Sequence, residues 1–599
     1  DPFRLDALGN PLPLRADRLA NVFLSPALMA EGGFGSVTVE NPDGDALIPG
    51  DVTLRTQPGG ELVLSGSNIT VEGDIFAPAG HLEFRTSNLP LSLVNTTNLV
   101  TKTRPDELPG RGRFTLAPGS ILSTALLVSD DRASSPVLTP LLTSGGDISI
   151  AAFSASLGKD SLIDVSGGAN MSPRGKVTYG NAGALSITTG RDLNIAELLG
   201  GGLMMEGRLQ GYSGATGGTL NLTAPAFQIG GGGVPHPSVV HLGPEFFSTG
   251  GFSKFSLTGI GLPGVGGLEY IPGVNIAPGT RIRPVVDSWL AIPHAAWGRE
   301  LQLVPFTKPE GLRNPASLSF KATGASDGFN SGLLIVRGDV VLGEGASIET
   351  DALGSVSFSG QTATILGSIR APGGSISVSG ANAFPTLPGG PSGALTTVYL
   401  GPRARLDASG KTVIREGRNG WREGLITAGG SISISGNIVA ESGALLDVSG
   451  TSGVLDLPAT YLSVGAKPIT GLKGTQYVPV RFDTNGGSIT LAGAQMLYTD
   501  ATLIGRAGGP SAIGGSLSVS SGKFHDPGSE FTTAEADLIV TQNGPTLPRS
   551  RFARGIGMPV RANDGTSLPG IGNFAVSAFS AGGFDSLTLG GNVQFEGPI

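Results

Sequence analysis

Three aspartates recur in one short context, and carboxylates that return along a chain could bind calcium or act as acids and bases. They are Asp164, Asp407 and Asp447, each followed by an apolar residue, a serine and a glycine. An aspartate before a turn commonly accepts hydrogen bonds from the backbone two residues on. We therefore interpret these residues as turn caps. The nonapeptide glycine–aspartate pattern of calcium-binding β-rolls does not occur.

A second motif is Arg337-Gly338-Asp339, the tripeptide through which integrins recognise adhesion ligands. It lies within LLIVRGDVVLG, where Gly338 suits a turn between two strands. A chance tripeptide in a glycine-rich chain is the interpretation we prefer. Integrin binding is the alternative.

Tryptophans outside the repeats are the other candidate binding residues, because exposed aromatic rings stack on sugar rings. Trp289 and Trp297 lie with His294 in one irregular stretch, and Trp421 lies among arginines and glutamates. These rings could form a glycan platform. For Trp289 and Trp297 we prefer the alternative, in which they hold their insert against the rest of the chain. Trp421 could contact an acidic glycan, or it could simply lie in a solvated loop.

The sequence offers little for a metal or for catalysis. His236, His241 and Glu245 lie close together, but no further ligand follows at a typical zinc spacing. Matches to the Gly-x-Ser-x-Gly pattern follow from the abundance of glycine and serine, and none has a histidine partner at a strand-to-helix turn. We expect no metal, no cofactor and no catalytic residue.

These side chains belong to a chain of short repeats, of which Gly429–Gly450 is the clearest. Ile432 and Ile434 alternate with serines, which is the period of a strand with one apolar face. Related segments begin at Gly145 and Gly486, among other places. One unit cannot bury its apolar face alone, so the copies should stack as a β-solenoid. The aliphatic residues expected in the shared core are Ile148, Ile150, Ile432, Ile434, Leu446, Val448, Ile489 and Leu491.

Composition agrees with a solenoid and limits the possible functions. Glycine contributes 97 of 599 residues, and charged residues only 14%, against a usual share of about 25%. The net charge of -8 gives no electrostatic footprint for nucleic acid. The chain has no cysteine, so disulfides and thiolate chemistry are excluded. No apolar run is long enough for a transmembrane helix.

Gly-Gly-Phe motifs divide the chain into larger blocks. They begin at Gly32, Gly250 and Gly582, each directly before an alternating segment. We predict a non-repeat leader over 1–30, β-helix blocks over 31–248 and 249–581, and the start of a third block over 582–599, so that the native polypeptide continues further. Irregular inserts are expected near 259–315, 411–424, 451–485 and 523–574.

The copies at Gly145, Gly429 and Gly486, the Asp-x-Ser-Gly segments and the Gly-Gly-Phe motifs together resemble the filamentous-haemagglutinin-like large exoproteins of Gram-negative bacteria. The resemblance covers most of residues 31–599. It implies an all-β fold, a right-handed parallel β-helix with irregular surface inserts. It also implies export by an outer-membrane secretion partner (two-partner secretion), an extracellular or cell-surface location, and a role in adhesion.

We therefore expect a non-catalytic, secreted scaffold that binds glycans or proteins of host or neighbouring cells through its loops. One alternative is a subunit that pairs end to end with itself in an extracellular filament or sheath. The other is a polysaccharide-degrading β-helix enzyme, for which a groove lined by carboxylates of adjacent coils would be the sign.

Overall fold

The computed structural model describes residues 6–13, 21–27, 31–126, 128–133, 144–232, 236–264, 270–293, 301–329, 332–385, 393–417, 420–458, 477–525 and 533–599. Strands dominate these residues, and helices are short. They comprise α1 (Leu91–Thr96), a π-helical turn (Thr97–Thr101), 3-10 helices over Asp131–Ala133 and Pro244–Ser248, and α2 (Ser577–Gly582). No helix among the described residues is both long and apolar enough to cross a membrane.

Most repeats contribute three strands, and the first strands of successive repeats pair in parallel. This first ladder runs from the beginning to the end of the repeats without interruption. Its members are β1 (Ser36–Ile48), β3 (Glu61–Val71), β5 (His81–Thr86), β9 (Asp147–Ala151), β14 (Ala184–Thr188), β17 (Thr219–Ala224), β20 (Lys254–Gly259), β27 (Ser317–Ala322), β32 (Ser355–Ser359), β35 (Ser375–Ser379), β40 (Ser431–Ala440), β44 (Ser488–Thr499), β46 (Ser516–Ser520) and β51 (Ser586–Gly590).

The second strands form another parallel ladder, joined to the first through the long strands β1, β3, β40 and β44, whose later halves belong to it. The two ladders together count as one 26-stranded sheet. The other members are β6 (Arg113–Leu116), β10 (Ser154–Leu157), β15 (Leu203–Met205), β18 (Ala226–Ile229), β19 (Val239–Leu242), β23 (Val274–Ile276), β30 (Asp339–Leu342), β33 (Thr362–Ile365), β36 (Val398–Leu400), β49 (Asp537–Thr541), β50 (Gly572–Ala575) and β52 (Asn592–Glu596).

The third strands form two shorter parallel sheets. The first holds β2 (Thr53–Arg55), β4 (Asp74–Phe76), β7 (Ile121–Ser123), β11 (Leu162–Asp164) and β16 (Arg208–Gln210). The second holds β24 (Arg281–Ile282), β31 (Ser347–Glu349), β34 (Ser368–Arg370), β37 (Arg405–Asp407), β41 (Leu445–Asp447) and β45 (Thr502–Ile504).

Alternation and register together build the core. Ile432 lies opposite Ile376 on one side and Ile489 on the other, so like residues stack in columns. The eight aliphatic residues expected in the core from the sequence are all buried, and all belong to one continuous hydrophobic cluster. The prediction of an all-β, solenoid-like chain of parallel strands is confirmed.

Glycines stack where the first strands begin. The amide of Ser431 donates to the carbonyl of Gly374 at 2.9 Å, and the amide of Ser488 donates to Gly430 at the same distance. A Cβ built on Gly430 would overlap the Gly374 carbonyl oxygen, and one on Gly487 would overlap that of Gly430. The glycines that punctuate the sequence are therefore needed where the backbones of successive repeats meet.

Connections differ in length at the three bends of each repeat. Only a few residues join the second strand to the third, whereas longer inserts leave after the first and the third strands. Hairpins after first strands are β21–β22 (Leu262–Pro263, Tyr270–Ile271), β28–β29 (Ala325–Asp327, Leu333–Val336) and β47–β48 (Lys523–His525, Thr533–Glu535). Hairpins after third strands are β12–β13 (Ala169–Met171, Val177–Tyr179), β25–β26 (Ser288–Ile292, Gln302–Phe306), β38–β39 (Thr412–Glu416, Arg422–Ile426) and β42–β43 (Ser452–Pro458, Tyr477–Asp483). The strand β8 (Val128–Asp130) pairs in parallel with β12.

Two stretches that we expected to be inserts contain strands of the stack. The strands β23 and β24 lie within 259–315, and β49 and β50 begin within 523–574. The first ladder also crosses the block limit at 248/249, because β20 pairs with both β17 and β27. The blocks are thus units of sequence within one continuous stack of strands.

Two repeats place two strands in the second ladder instead of one. Before the Gly-Gly-Phe motif at Gly250, β19 and β18 both lie between β15 and β23, whereas the first ladder has only β17 at that level. Before the motif at Gly582, β50 and β49 both lie between β44 and β52. In each case the later strand of the two is placed nearer the preceding repeat.

Candidate binding surface

Three inserts that leave after the third strands β24, β37 and β41 contact one another along one side of the stack. We call β25–β26, β38–β39 and β42–β43 the hairpin row. Lys411, just before β38, pairs with Glu310, which follows β26, at 2.7 Å. The Thr412 hydroxyl donates to the Ser452 carbonyl at 3.0 Å and so joins the second hairpin to the third. The row is therefore one connected surface.

Trp421 lies at the meeting point of the two later hairpins. Its ring stacks on Tyr477 with centroids 3.6 Å apart and planes 19° apart. Next to it, Arg422 donates to both carboxylate oxygens of Asp456, at 2.8 and 3.2 Å. These hydrogen bonds lower the pKa of Asp456 below its usual value. A half-buried aromatic pair thus sits beside charged and amide groups, which is a combination suited to a sugar or a polar peptide.

Trp289 fastens the first hairpin to the stack. Its ring lies on Tyr212, with centroids 4.6 Å apart, and its backbone amide donates to the Ser213 carbonyl at 3.1 Å. Two residues on, the Ala291 amide donates to the Tyr179 hydroxyl at 2.9 Å. The buried indole N–H finds no acceptor among the described residues. These contacts match the fastening role preferred from the sequence. Trp297 and His294 lie outside the described residues.

The integrin-type tripeptide lies on another side of the stack and is internally paired. Arg337 donates to Asp339 at 2.7 and 3.0 Å, and its guanidinium lies over the rings of Tyr270 and Phe384. Asp339 is 7% exposed and also accepts from the Thr362 hydroxyl at 2.6 Å. Gly338 occupies the bend between β29 and β30. The two charges neutralise each other, so the tripeptide does not present the free arginine and carboxylate that an integrin site reads.

The recurring aspartates cap turns. The Ser166, Ser409 and Ser449 amides each donate to the aspartate two residues earlier, at 2.8–2.9 Å. The capping interpretation of Asp164, Asp407 and Asp447 is confirmed.

The outer face of the third strands does not form a carboxylate groove at these positions. Arg370 lies between Glu349 and Asp407 in register and approaches their oxygens to 3.7 and 3.3 Å. The carboxylates of neighbouring repeats are therefore occupied by a shared cation and by turn amides. This is not the free pair of acids that glycoside hydrolysis requires.

The two histidines do not converge with a third ligand. His236 accepts from the Ser238 amide at 3.2 Å through Nδ1, and His241 is exposed on β19. No group of three histidine or acidic side chains with metal-binding geometry occurs in the described part of the chain.

Sequence reasoning missed the aromatic partners of the tryptophans. Tyr212 and Tyr477 lie 77 and 56 residues from the rings that they contact, so no local pattern pairs them. A usable signal is the placement of aromatic residues in inserts that follow third strands, since the stack brings such inserts together.

Comparison of the whole chain with models of protein families, with curated proteins and with solved structures found no match. The site is therefore defined by its own geometry: a row of connected hairpins that carries the stacked pair Trp421–Tyr477 on a long parallel stack.

Proposed function

We propose that the chain is a secreted, surface-associated scaffold without catalytic activity, which binds glycans or proteins of other cells through its hairpin row. In this proposal the parallel stack closes into a right-handed β-helix that acts as a rod. Export by an outer-membrane partner and a location on the cell surface follow from the resemblance of its repeats to filamentous-haemagglutinin-like exoproteins.

One observation carries the proposal. The ladder strands continue the stack, whereas Trp289 and Trp421 and the ion pairs Lys411–Glu310 and Arg422–Asp456 lie in or beside hairpins that leave after third strands and contact one another. Such a division is suited to presenting contact groups at a distance. In the described residues, the carboxylates that could have favoured a polysaccharide-degrading enzyme are engaged in turn caps and ion pairs.

Within the hairpin row, Trp421 and Tyr477 are the residues that we assign to ligand contact. Their ring faces, together with Arg422 and Asp456, supply stacking area and hydrogen-bonding groups within a few ångströms. Aromatic rings provide contact area at low entropic cost, because few of their bonds rotate. Trp289 is assigned to fastening, because its indole N–H is buried and because its own amide and that of Ala291 are hydrogen-bonded to Ser213 and Tyr179.

A binding screen of the full chain against a glycan array and host matrix proteins tests the proposal. Trp421→Ala should lose at least tenfold in affinity for whatever ligand the wild-type chain selects. Phe482→Ala is the matched control, because Phe482 is an exposed aromatic residue of the neighbouring hairpin β42–β43 and lies outside the stacked pair. Equal binding by both variants would refute the assignment, and release of new reducing ends from a polysaccharide would refute the absence of catalysis.

A further inference from the structure

Two of the three lines of strands are interrupted at the same level of the stack. We call the repeats up to β16 the lower part and those from β17 on the upper part. The third-strand sheet of the lower part ends at β16, and the next one begins at β24. Between them lies the 3-10 helix Pro244–Ser248, whose last residue donates to the Arg283 carbonyl, next to β24, at 3.1 Å. In the second ladder β15 pairs with β10 and β19 pairs with β18, but no backbone hydrogen bond joins β15 to β19, although both strands are fully described. In the described residues, the first ladder is thus the one line of strands that joins the two parts, from β14 through β17 to β20.

The interior at this level holds aromatic rings and a cavity in addition to aliphatic columns. Phe246 and Phe247 of the 3-10 helix contact Phe255 edge-on, with ring centroids 6.1 and 5.4 Å apart. Beside them lies a cavity of about 1050 Å³, which is lined by β15, β19 and Phe255. Rings in edge-on contact are not held in one register as the residues of a ladder are. The interior therefore leaves room for the two parts to change their angle.

The Gly-Gly-Phe motif at Gly582 repeats part of this arrangement and provides a comparison. At both motifs a glycine amide just after a third strand donates to a glycine carbonyl of the motif, from Gly211 to Gly250 at 2.7 Å and from Gly505 to Gly582 at 2.9 Å. The third-strand sheet also ends there, at β45, and the short helix α2 packs against it. The second ladder, however, continues from β44 to β50. The level at Gly582 therefore keeps two ladders where the level at Gly250 keeps one.

Hairpin β25–β26 crosses the interrupted level from the upper part to the lower part. It follows β24, and its Trp289 lies on the ring of Tyr212, which follows β16. Just after the hairpin, the Lys308 ammonium donates to the Gly214 carbonyl at 3.0 Å. These contacts lie at the bend between third and first strands. At the opposite bend, between second and third strands, no described backbone hydrogen bond joins residues 206–208 to the upper part. The level is thus fastened beside the first ladder and open on the far side.

We propose that the level at Gly250 is a hinge of the stack. The lower and upper parts rock about the first ladder, so that the bend between second and third strands opens and closes. Hairpin β25–β26 is the brace that limits the opening, and Trp289 is its main contact. Such a motion changes the direction of the stack without unfolding a repeat, because every ladder bond on either side is kept. The hinge does not depend on ligand binding by the hairpin row.

Distances between spin labels on the two parts test the proposal, because the chain has no cysteine of its own. The pair Ser149→Cys and Ser357→Cys lies on the first ladder, five steps apart. The pair Ser156→Cys and Thr364→Cys lies on the second ladder, six steps apart with the open step included. At about 4.8 Å per step, the closed hinge gives backbone distances of about 24 and 29 Å. The second-ladder pair should give a distribution at least twice as wide as that of the first-ladder pair.

Removing the brace should act on one of the two pairs. Trp289→Ala should move the second-ladder distribution to longer distances and leave the first-ladder distribution unchanged. Phe306→Ala, which removes an exposed ring of the same hairpin, should change neither. A second-ladder distribution as narrow as that of the first-ladder pair, or no response to Trp289→Ala, would overturn the proposal. Equal broadening of both pairs would also overturn it, because a hinge keeps the first ladder intact.

Labelling of buried thiols gives a second measurement. Val240→Cys places a thiol on β19 at the hinge, and Val340→Cys places one at the equivalent position of β30, where the second ladder is continuous. Both valines are buried. Trp289→Ala should accelerate maleimide labelling at position 240 at least threefold and leave the rate at position 340 unchanged. Equal acceleration at both positions, or none at position 240, would contradict the proposal.

Discussion

Replacing Gly430 by alanine should open the stack at one step. Gly430 meets Gly374 of the preceding repeat and Gly487 of the next, and its added Cβ would overlap the Gly374 carbonyl oxygen. That oxygen also accepts the Ser431 amide at 2.9 Å. Since the obstacle is backbone on a packed ladder, no side-chain rotation can relieve it. The two repeats must move apart locally.

The expected cost follows from three contributions. Overpacking a well-packed site costs about 1–3 kcal/mol. Weakening one backbone hydrogen bond adds about 0.5–1.5 kcal/mol. The lower entropy of the unfolded alanine chain offsets about 0.4–1 kcal/mol. We expect a net local destabilisation of about 0.5–4 kcal/mol, which corresponds to roughly 2- to 1,000-fold faster local opening.

Hydrogen exchange over residues 431–435 measures this effect directly, and it suits a repeat protein whose unfolding need not be two-state. Gly555→Ala is the matched control, because nothing lies within 4 Å of its added Cβ and its φ is ordinary. Gly430→Ala should accelerate exchange in that segment while Gly555→Ala leaves it unchanged. Indistinguishable exchange in the two variants would refute the reasoning about glycine contacts.

Substitutions at three further residues test individual side chains. Asp447→Ala should cost about 1 kcal/mol in unfolding free energy, because the Ser449 amide loses its acceptor, whereas Asp447→Asn should retain most of it. Burial raises the pKa of Asp164 above 3.8, so its contribution to stability is greatest below that pH and falls as the pH rises through the raised pKa. Asp164→Asn should therefore flatten the decrease of denaturant midpoints as the pH rises from 3.8 through the raised pKa, and should be no less stable at neutral pH. Arg337→Ala should lower the unfolding free energy by about 3 kcal/mol, since it leaves Asp339 buried without its cation, and should not change adhesion to integrin-bearing cells.

Local patterns were enough to predict the core and the turn caps. Ile432 and Ile434 alternate with serines on one strand. Asp447 lies two residues before Ser449, from whose amide it accepts a hydrogen bond. The alternation and the cap therefore both fall within one repeat. Strands of two or three residues carry no such period. Arg281–Ile282 and Val274–Ile276 therefore read as part of an insert, although they continue the stack.

Contacts between inserts could not be predicted, because the stack sets them. Trp421 and Tyr477 belong to hairpins of successive repeats, and their distance depends on where each insert leaves its third strand. The placement of two strands, β18 and β19, in the second ladder is hidden for a similar reason, because both read alike as short apolar runs.

Distances between spin labels along the first ladder test most directly whether the repeats stack in register. Ser186, Ser377, Thr490 and Thr588 occupy equivalent positions of that ladder, and the last three lie five, seven and nine steps from Ser186. At about 4.8 Å per step, cysteine pairs from Ser186 to these three positions should give backbone distances of about 24, 34 and 43 Å. A narrow distribution that lengthens in this order is the predicted result. Broad distributions, or distances that do not lengthen with the number of steps, would contradict the stacked fold and the function proposed for it.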